Sequence, residues 1–178
     1  MTDIKLITPT SLWANEILAY RSEFIKTTEV ISGSSSLNQF SQAEAWLTHL
    51  TLNQKQATLP NKNFVPSYQY LLVDLKADKI LGMANLRLTL NDYLLNFGGH
   101  IGYSIAPSAR GQGYGKIILA ETLKAAASFQ IEKALLTCDD DNLASAQIIE
   151  ANGGQLENKY YEEEINKWVR RYWINLSR

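Results

Sequence analysis

Residues 110–116 read Arg-Gly-Gln-Gly-Tyr-Gly-Lys, with glycine at 111, 113 and 115 and an apolar-patterned run directly after them. Glycine is costly inside regular structure and useful where backbone has to approach something closely. A helix N-terminus exposes up to about four backbone N–H groups and roughly half a positive charge. If the loop before it lacks Cβ atoms, a phosphate can sit directly on those amides. The alternation of Gly111, Gly113 and Gly115 lets the chain curl around an anion, and Arg110 and Lys116 add positive charge on either side. The spacing therefore predicts a diphosphate cradle. A Walker A loop fits poorly, because Lys116 is followed by Ile117 and the spacing is one residue short. A dinucleotide fingerprint fits poorly too: it opens a series of βα units, whereas this loop comes late and is surrounded by strands. The reading without a ligand is a glycine turn capping a helix, for which two glycines suffice.

The elements around the loop follow from periodicity. The strand GGHIGYSIAP precedes it and ends at Pro107, which cannot donate to a ladder. A helix over 114–129 follows, with Leu119, Leu123 and Ala126 on one face. KALLTC reads as a strand buried on both faces. DDDNLASAQIIEANGG reads as a short helix opened by acidic and Asn caps and closed by glycines. Upstream, DIKLIT is a short strand, and Trp13, Ile17, Tyr20 and Phe24 form the stripe of an amphipathic helix from Thr10. SGSSS (32–36) breaks that helix as a flexible stretch. SQAE, from Ser41 to Glu44, has the form of a capping box opening a second helix with Trp46 and Leu50 on one side. YQYLLVDL, KADK and KILGMANLRLTL predict a hairpin, and LENKYYEE and KWVRRYWINL two closing strands. The order β-α-α-β-β-β-α-β-α-β-β describes a mixed α/β (α+β) fold. Residues 1–178 are expected to form one domain, because neither flank of the 53–67 loop could build its own core.

Totals exclude several classes. Hydrophobic residues make up 46% of the chain, enough for a core and against disorder. A formal net charge of -1 argues against a general nucleic-acid binder. Cys138 is the only cysteine, so no internal disulfide forms and a reducing compartment is expected. MTDIKLITPT lacks the apolar region of a signal peptide, and no apolar run approaches the roughly 18–20 residues of a membrane span. The expectation is a soluble cytoplasmic protein, with no nucleic-acid and no membrane partner.

Arg110-Gly111-Gln112-Gly113-Tyr114-Gly115, between the strand GYSIAP and a helix, resembles the signature of the GNAT acyltransferase superfamily. Asn142, Ser145 and the helix end EANGG resemble the family's segment after the next strand. The wider string GGHIGYSIAPSARGQGYG, with LLTCDDDN and RRYWI, looks like a group of uncharacterised bacterial predicted acetyltransferases. The resemblance covers roughly 69–178 well. It implies a mostly antiparallel central sheet in which two parallel strands, HIGYSI and KALLTC, splay apart, with helices on both faces. Acetyl-CoA would lie in that wedge as co-substrate, its pantetheine pairing with backbone of Tyr103, Ser104 and Ile105. Its diphosphate would rest on residues 110–116, Arg110 through Lys116. Asn142 and Ser145 would touch the pantetheine or the sulfur. An acceptor amine, small molecule or peptide, would enter from the other side, near SGSSS and the first two helices.

Acetyl transfer to an amine requires a deprotonated nucleophile, donors for the developing oxyanion, and stabilisation of the departing thiolate, itself a tolerable leaving group with a pKa of about 8.5. Many family members carry a tyrosine as general acid in the helix after the Asn block; here Ile149 stands there. Either another group such as Ser145 or a water then does the job, or no acid is used. His100, on the strand lining the cleft, is the candidate base; the alternative is a hydrogen-bonded structural histidine. Cys138 is either an acyl carrier or a small buried hydrophobe, and His49 is read as a surface or interhelix residue. The run Asp139–Asp141 is read as helix-start charge and not as a metal site, and no metal is expected. Tyr160, Tyr161, Trp168, Tyr172 and Trp173 could line an aromatic substrate pocket, but at alternating strand positions they are read as core and sheet packing, and the aromatic C-terminal strands leave a strand-mediated homodimer open. Arg170 and Arg171 point to opposite faces. The function implied is acetyl-CoA-dependent N-acetyl transfer by direct attack; the alternative is a catalytically silent CoA-binding sensor.

Overall fold

Ile17, Tyr20 and Phe24 are buried, so the stripe read from their spacing is the inner face of a helix. The computed structural model describes residues 3–177, in the order β1 (Ile4–Ile7), α1 (Ala14–Thr27), α2 (Ala43–Leu52), β2 (Ser67–Asp74), β3 (Lys79–Arg87), β4 (Ile101–Ile105), α3 (Tyr114–Ser128), β5 (Lys133–Asp139), α4 (Leu143–Ala151), β6 (Gln155–Glu162) and β7 (Lys167–Asn175). This is the expected mixed α/β order. One antiparallel sheet runs β1-β2-β3-β4 and the other runs β5-β7-β6. Apolar residues of α1, α2 and the first sheet form one core cluster, and α3, α4 and the second sheet supply most of another.

The two sheets meet where β4 lies beside β5. Among the described residues the backbone link is one bond, from His100 N–H to the Leu135 carbonyl at 2.7 Å. Beyond it the strands diverge, and β4 is paired only on its β3 edge. Alternation along β4 then sends side chains to different helices. The Ser104 hydroxyl meets Tyr20 of α1 at 3.0 Å, and the Tyr103 hydroxyl meets Ser145 of α4 at 3.0 Å.

Four local expectations are corrected. The first helix opens with a 3-10 turn over Ser11–Trp13 and becomes α-helical only at Ala14. The Ser41–Glu44 capping box does not form, because the residue at the N-cap is Gln42, in extended backbone and without a side-chain cap. The 32–36 stretch is not a flexible linker. Ser34 is buried and its carbonyl accepts from Trp46 Nε1, the Gly33 carbonyl accepts from Gln69 Nε2 at 2.7 Å, and Ser35 bridges Gln69 and Asn85. The acidic run does not cap α4: Asn142 does, through its Oδ1 and the Ser145 amide. Asp139 pairs instead with Lys167, and Asp140 with Lys159 and Arg170.

Candidate active site

The glycine loop opens onto a groove of about 710 Å³ lined by β4, the loop, and the starts of α3 and α4. Gly111 and Gly113 have φ of +75° and +85°, the left-handed region where a side chain is strained, and a Cβ on either would meet nothing within 4 Å. Among the described residues, the amides of Gly111, Gln112 and Gly113 have no hydrogen-bond acceptor. Those of Tyr114 and Gly115 open α3, where helix geometry supplies no partner and no side chain caps the end. The loop therefore offers unclaimed donors beside an open groove, which fits a diphosphate. Gly115 is small for a different reason: a Cβ there would lie 2.5 Å from Ile148 Cδ1.

Arg110 is where the loop departs from expectation. Its guanidinium makes a two-pronged pair with Glu29, at 2.6 and 3.2 Å, and lies over the Phe24 ring. The side-chain bond to Glu29 holds the arginine charged and depresses the carboxyl below its usual range. Its charge is thus matched within the protein, and Lys116 is the loop cation without an ion pair among the described residues. Asn142 and Ser145 line the same groove from the start of α4, facing Tyr103, Ser104 and Ile105. These sequence-predicted residues converge on one site.

Within it, Tyr103 and Ser145 form a hydroxyl pair across the splay. Burial pushes the Tyr103 phenol up to about 12, so it remains a donor at neutral pH. Cys138 belongs to the adjoining core, and burial raises its thiol to about 11. A thiol held protonated is a poor nucleophile, so the hydrophobe reading of Cys138 stands over the acyl carrier. Ile149 is fully buried against Gly154 and presents nothing to the groove.

His100 lines neither this groove nor the second cavity described below. It is 8% exposed, and its Nδ1 accepts the Leu135 amide at 2.9 Å, a bond that identifies that nitrogen as the unprotonated one. Burial, with the Arg87 charge beside it, pushes its pKa down to about 4. An imidazole that weak, with its free lone pair already engaged, is not suited to take a proton from an ammonium. The candidate base is corrected to a structural histidine at the point where the sheets part.

Residues 13–155 match the acetyltransferase (GNAT) domain family. The chain belongs to the GNAT acetyltransferase family. Among solved structures, its fold is similar to that of a ribosomal-protein alanine acetyltransferase from Vibrio fischeri, with TM-score 0.73 and 16% identity over 98% of this chain and 96% of that one. It is also similar to RimL, a ribosomal α-N-protein acetyltransferase in complex with coenzyme A, with TM-score 0.71 and 16% identity over 98% and 95%. A third is the spermidine/spermine N-acetyltransferase SpeG from Vibrio cholerae, with TM-score 0.68 and 15% identity over 97% and 94%. No curated protein sequence matches. Among the described residues there is no helix long and apolar enough to cross a membrane and no group of side chains placed to hold a metal ion.

This GNAT chain carries a second cavity, of about 810 Å³, on the α2 side of β3 and between the 31–36 and 62–65 loops. His49 lines it, held by Asn53 at 2.9 Å, and burial lowers its pKa, which makes it a neutral cavity residue and not a surface one. Asn85 and Arg87 form part of its wall. Sequence reading passed over both, together with Glu29 and the Tyr103 side chain. The available signal was polar residues at inward positions of apolar strands, in YQYLLVDL and MANLRL. The exposed Tyr160, Tyr161 and Trp168 lie on β6 and β7 and line neither cavity, whereas Tyr172 is core. Arg170 and Arg171 do diverge, the former to Asp140 and the latter to Glu157 and Asn158.

Proposed function

We propose that the chain transfers the acetyl group of acetyl-CoA to a primary amine by direct attack within a ternary complex. The observation that carries this is the set of unclaimed amides from Gly111 to Gly115, opening onto a groove that leads to the Tyr103–Ser145 pair. The diphosphate sits on those amides, with Lys116 beside it. The pantetheine lies along the unpaired edge of β4 at Tyr103, Ser104 and Ile105, with Asn142 opposite. The amine nitrogen attacks the thioester carbonyl, the C–N bond forms, the C–S bond breaks, and the proton shed by the new amide nitrogen passes through solvent to the departing CoA sulfur. Tyr103, supported by Ser145, donates a hydrogen bond to the departing sulfur. With a phenol near 12 and a thiol near 8.5, that hydrogen bond stabilises the thiolate without full proton transfer. No side-chain base is assigned; the amine enters as its free base, a fraction that is larger for an α-amine than for a lysine-like amine at neutral pH. The acceptor comes from the α1/α2 side of β4.

Replacing Gly113 with valine tests the cradle. Its Cβ meets open space, so the fold tolerates it, while the φ of +85° and the added bulk disturb the amide array. Calorimetric titration with CoA should show binding lost with the far-ultraviolet spectrum unchanged; undiminished affinity overturns the cradle. The burial of Ile149 and His100 keeps a second reading, a CoA-binding sensor without catalysis. Tight CoA binding with no thiol released by any amine would select it.

A further inference from the structure

We infer that the second cavity holds an acceptor amine that also carries a carboxylate, gripped by Arg87. The inference rests on the acetyl-transfer reading and names the substrate class for it. Arg87 ends β3 and lines the cavity, yet it has no carboxylate partner among the described residues. Its Nη1 donates to the carbonyls of Gly98 and Gly99, at 2.9 and 3.1 Å, which fixes the guanidinium without neutralising it. Arg110, Arg170 and Arg171 are each paired with a carboxylate, Glu29, Asp140 and Glu157, whereas Arg21, like Arg87, has none among the described residues and donates to the Asn38 carbonyl. A partly buried guanidinium without a counter-ion is costly unless an anion arrives; the pKa of Arg87 is lowered, with burial the leading cause. Arginine's fork geometry matches a carboxylate in two-pronged fashion.

The remaining charges agree. Lys62 and Asp92 are both exposed on the lining and oppose one another, so the cavity has no acidic excess of the kind a polyamine would require. The neutral lining is donor- and acceptor-rich, with Asn85, Asn91 and Ser36 among it. Position agrees as well. Arg87 Nη2 lies 3.4 Å from where a Cβ on Gly102 would be, and Gly102 immediately precedes Tyr103 on β4. A carboxylate on Arg87 would therefore anchor an amine close to the strand that lines the cofactor groove. The shared chemistry is an amine with a nearby carboxylate; a free amino acid and a peptide with an acidic N-terminal segment are its two sources.

The test is release of free thiol from acetyl-CoA by the full-length protein with three sets of amines: the free amino acids, their carboxamides, and short peptides beginning with acidic or with neutral residues. Spermidine serves as the counter-example. The carboxylate forms should be favoured in KM over the matched amides by about ten- to a hundredfold, the range of a charge-assisted bond. Arg87→Gln should erase that ratio while CoA affinity stays at the wild-type value, and Arg87→Lys should restore part of it. Equal use of acid and amide, or preference for spermidine, overturns the inference and leaves acetyl transfer intact. If no amine is acetylated, thermal shift decides. Stabilisation by carboxylates but not amides, lost in Arg87→Gln, upholds the site while acetyl transfer fails; no carboxylate-dependent shift overturns it. Preference for the peptide over the free amino acid, at equal dependence on Arg87, assigns the source.

Discussion

Substituting His100 by glutamine separates a structural histidine from a general base through stability as well as rate. In the folded chain the ring is buried, takes the Leu135 amide on Nδ1, and has its pKa pushed down to about 4. In the unfolded chain it titrates near 6.5. Between those values the unfolded state binds the extra proton, so folding stability is complete above about pH 6.5 and falls as pH falls toward 4. The loss attributable to this residue reaches about 2 kcal/mol by pH 5 and about 3 kcal/mol by pH 4, on the order-of-magnitude scale of 1.4 kcal/mol per unit.

Glutamine keeps a carbonyl oxygen able to accept the Leu135 amide and has nothing to titrate. Urea unfolding of wild type and His100→Gln at pH 7.5, 6 and 5 should therefore give a difference in stability that shifts by about 2 kcal/mol toward the variant as pH drops. At pH 7.5 the variant's kcat/KM should stay within a few-fold of wild type, since a lost general base costs about a hundredfold or more. Parallel pH dependences in the two proteins would refute the burial argument. A hundredfold loss of rate with the rising limb of the pH profile abolished would return His100 to the chemistry.

Two further substitutions probe the site. Tyr103→Phe removes the phenol 3.0 Å from Ser145 and should lower kcat by about ten- to a hundredfold with CoA affinity unchanged, measured by thiol release and calorimetry; an unaltered kcat removes Tyr103 from the reaction. Gly33→Ala places a Cβ 2.1 Å from the Gly102 carbonyl oxygen at a φ of +66°, which should cost about 2–4 kcal/mol and lower the melting temperature by roughly 5–15 °C; unchanged melting would show that the loop does not rest on β4.

Which features were legible in the sequence follows from how local their causes are. Gly111 and Gly113 encode a backbone requirement and Gly115 a close approach to Ile148, all within five residues, and the loop they mark precedes α3 as expected. The stripe Ile17, Tyr20, Phe24 and the apolar run of β5 likewise declare their burial directly. His100 was misread because its role is set by partners distant in the chain, the Leu135 amide and the Arg87 charge, neither visible from its glycine neighbours. Arg110 was taken as free for a phosphate because Glu29 lies 81 positions away. The SGSSS stretch looked flexible on composition. Its order comes from Trp46, Gln69 and Asn85, residues on three other elements whose polar groups are the reason it is held.

That last network also explains how one strand can serve two cavities. Gln69, Asn85 and Ser34 are buried polar residues, which is costly unless each finds its partners, and here each does. Satisfied in this way they fix the 33–35 backbone against β4, where the contact requires glycine at 33, whose Cβ would lie 2.1 Å from the Gly102 carbonyl oxygen, and is tight at 102, whose Cβ would lie 3.3 Å from Gly33 backbone. Neighbouring residues of this one segment then line different spaces, Ser32 the groove beside the glycine loop and Gly33 and Ser34 the second cavity. A side chain at Gly33 would push this segment away from β4 at Gly102 and Tyr103. On the acetyl-transfer reading proposed above, this contact sets how near an acceptor held in the second cavity comes to a thioester in the groove, a role that no spacing rule around the Arg110 loop discloses.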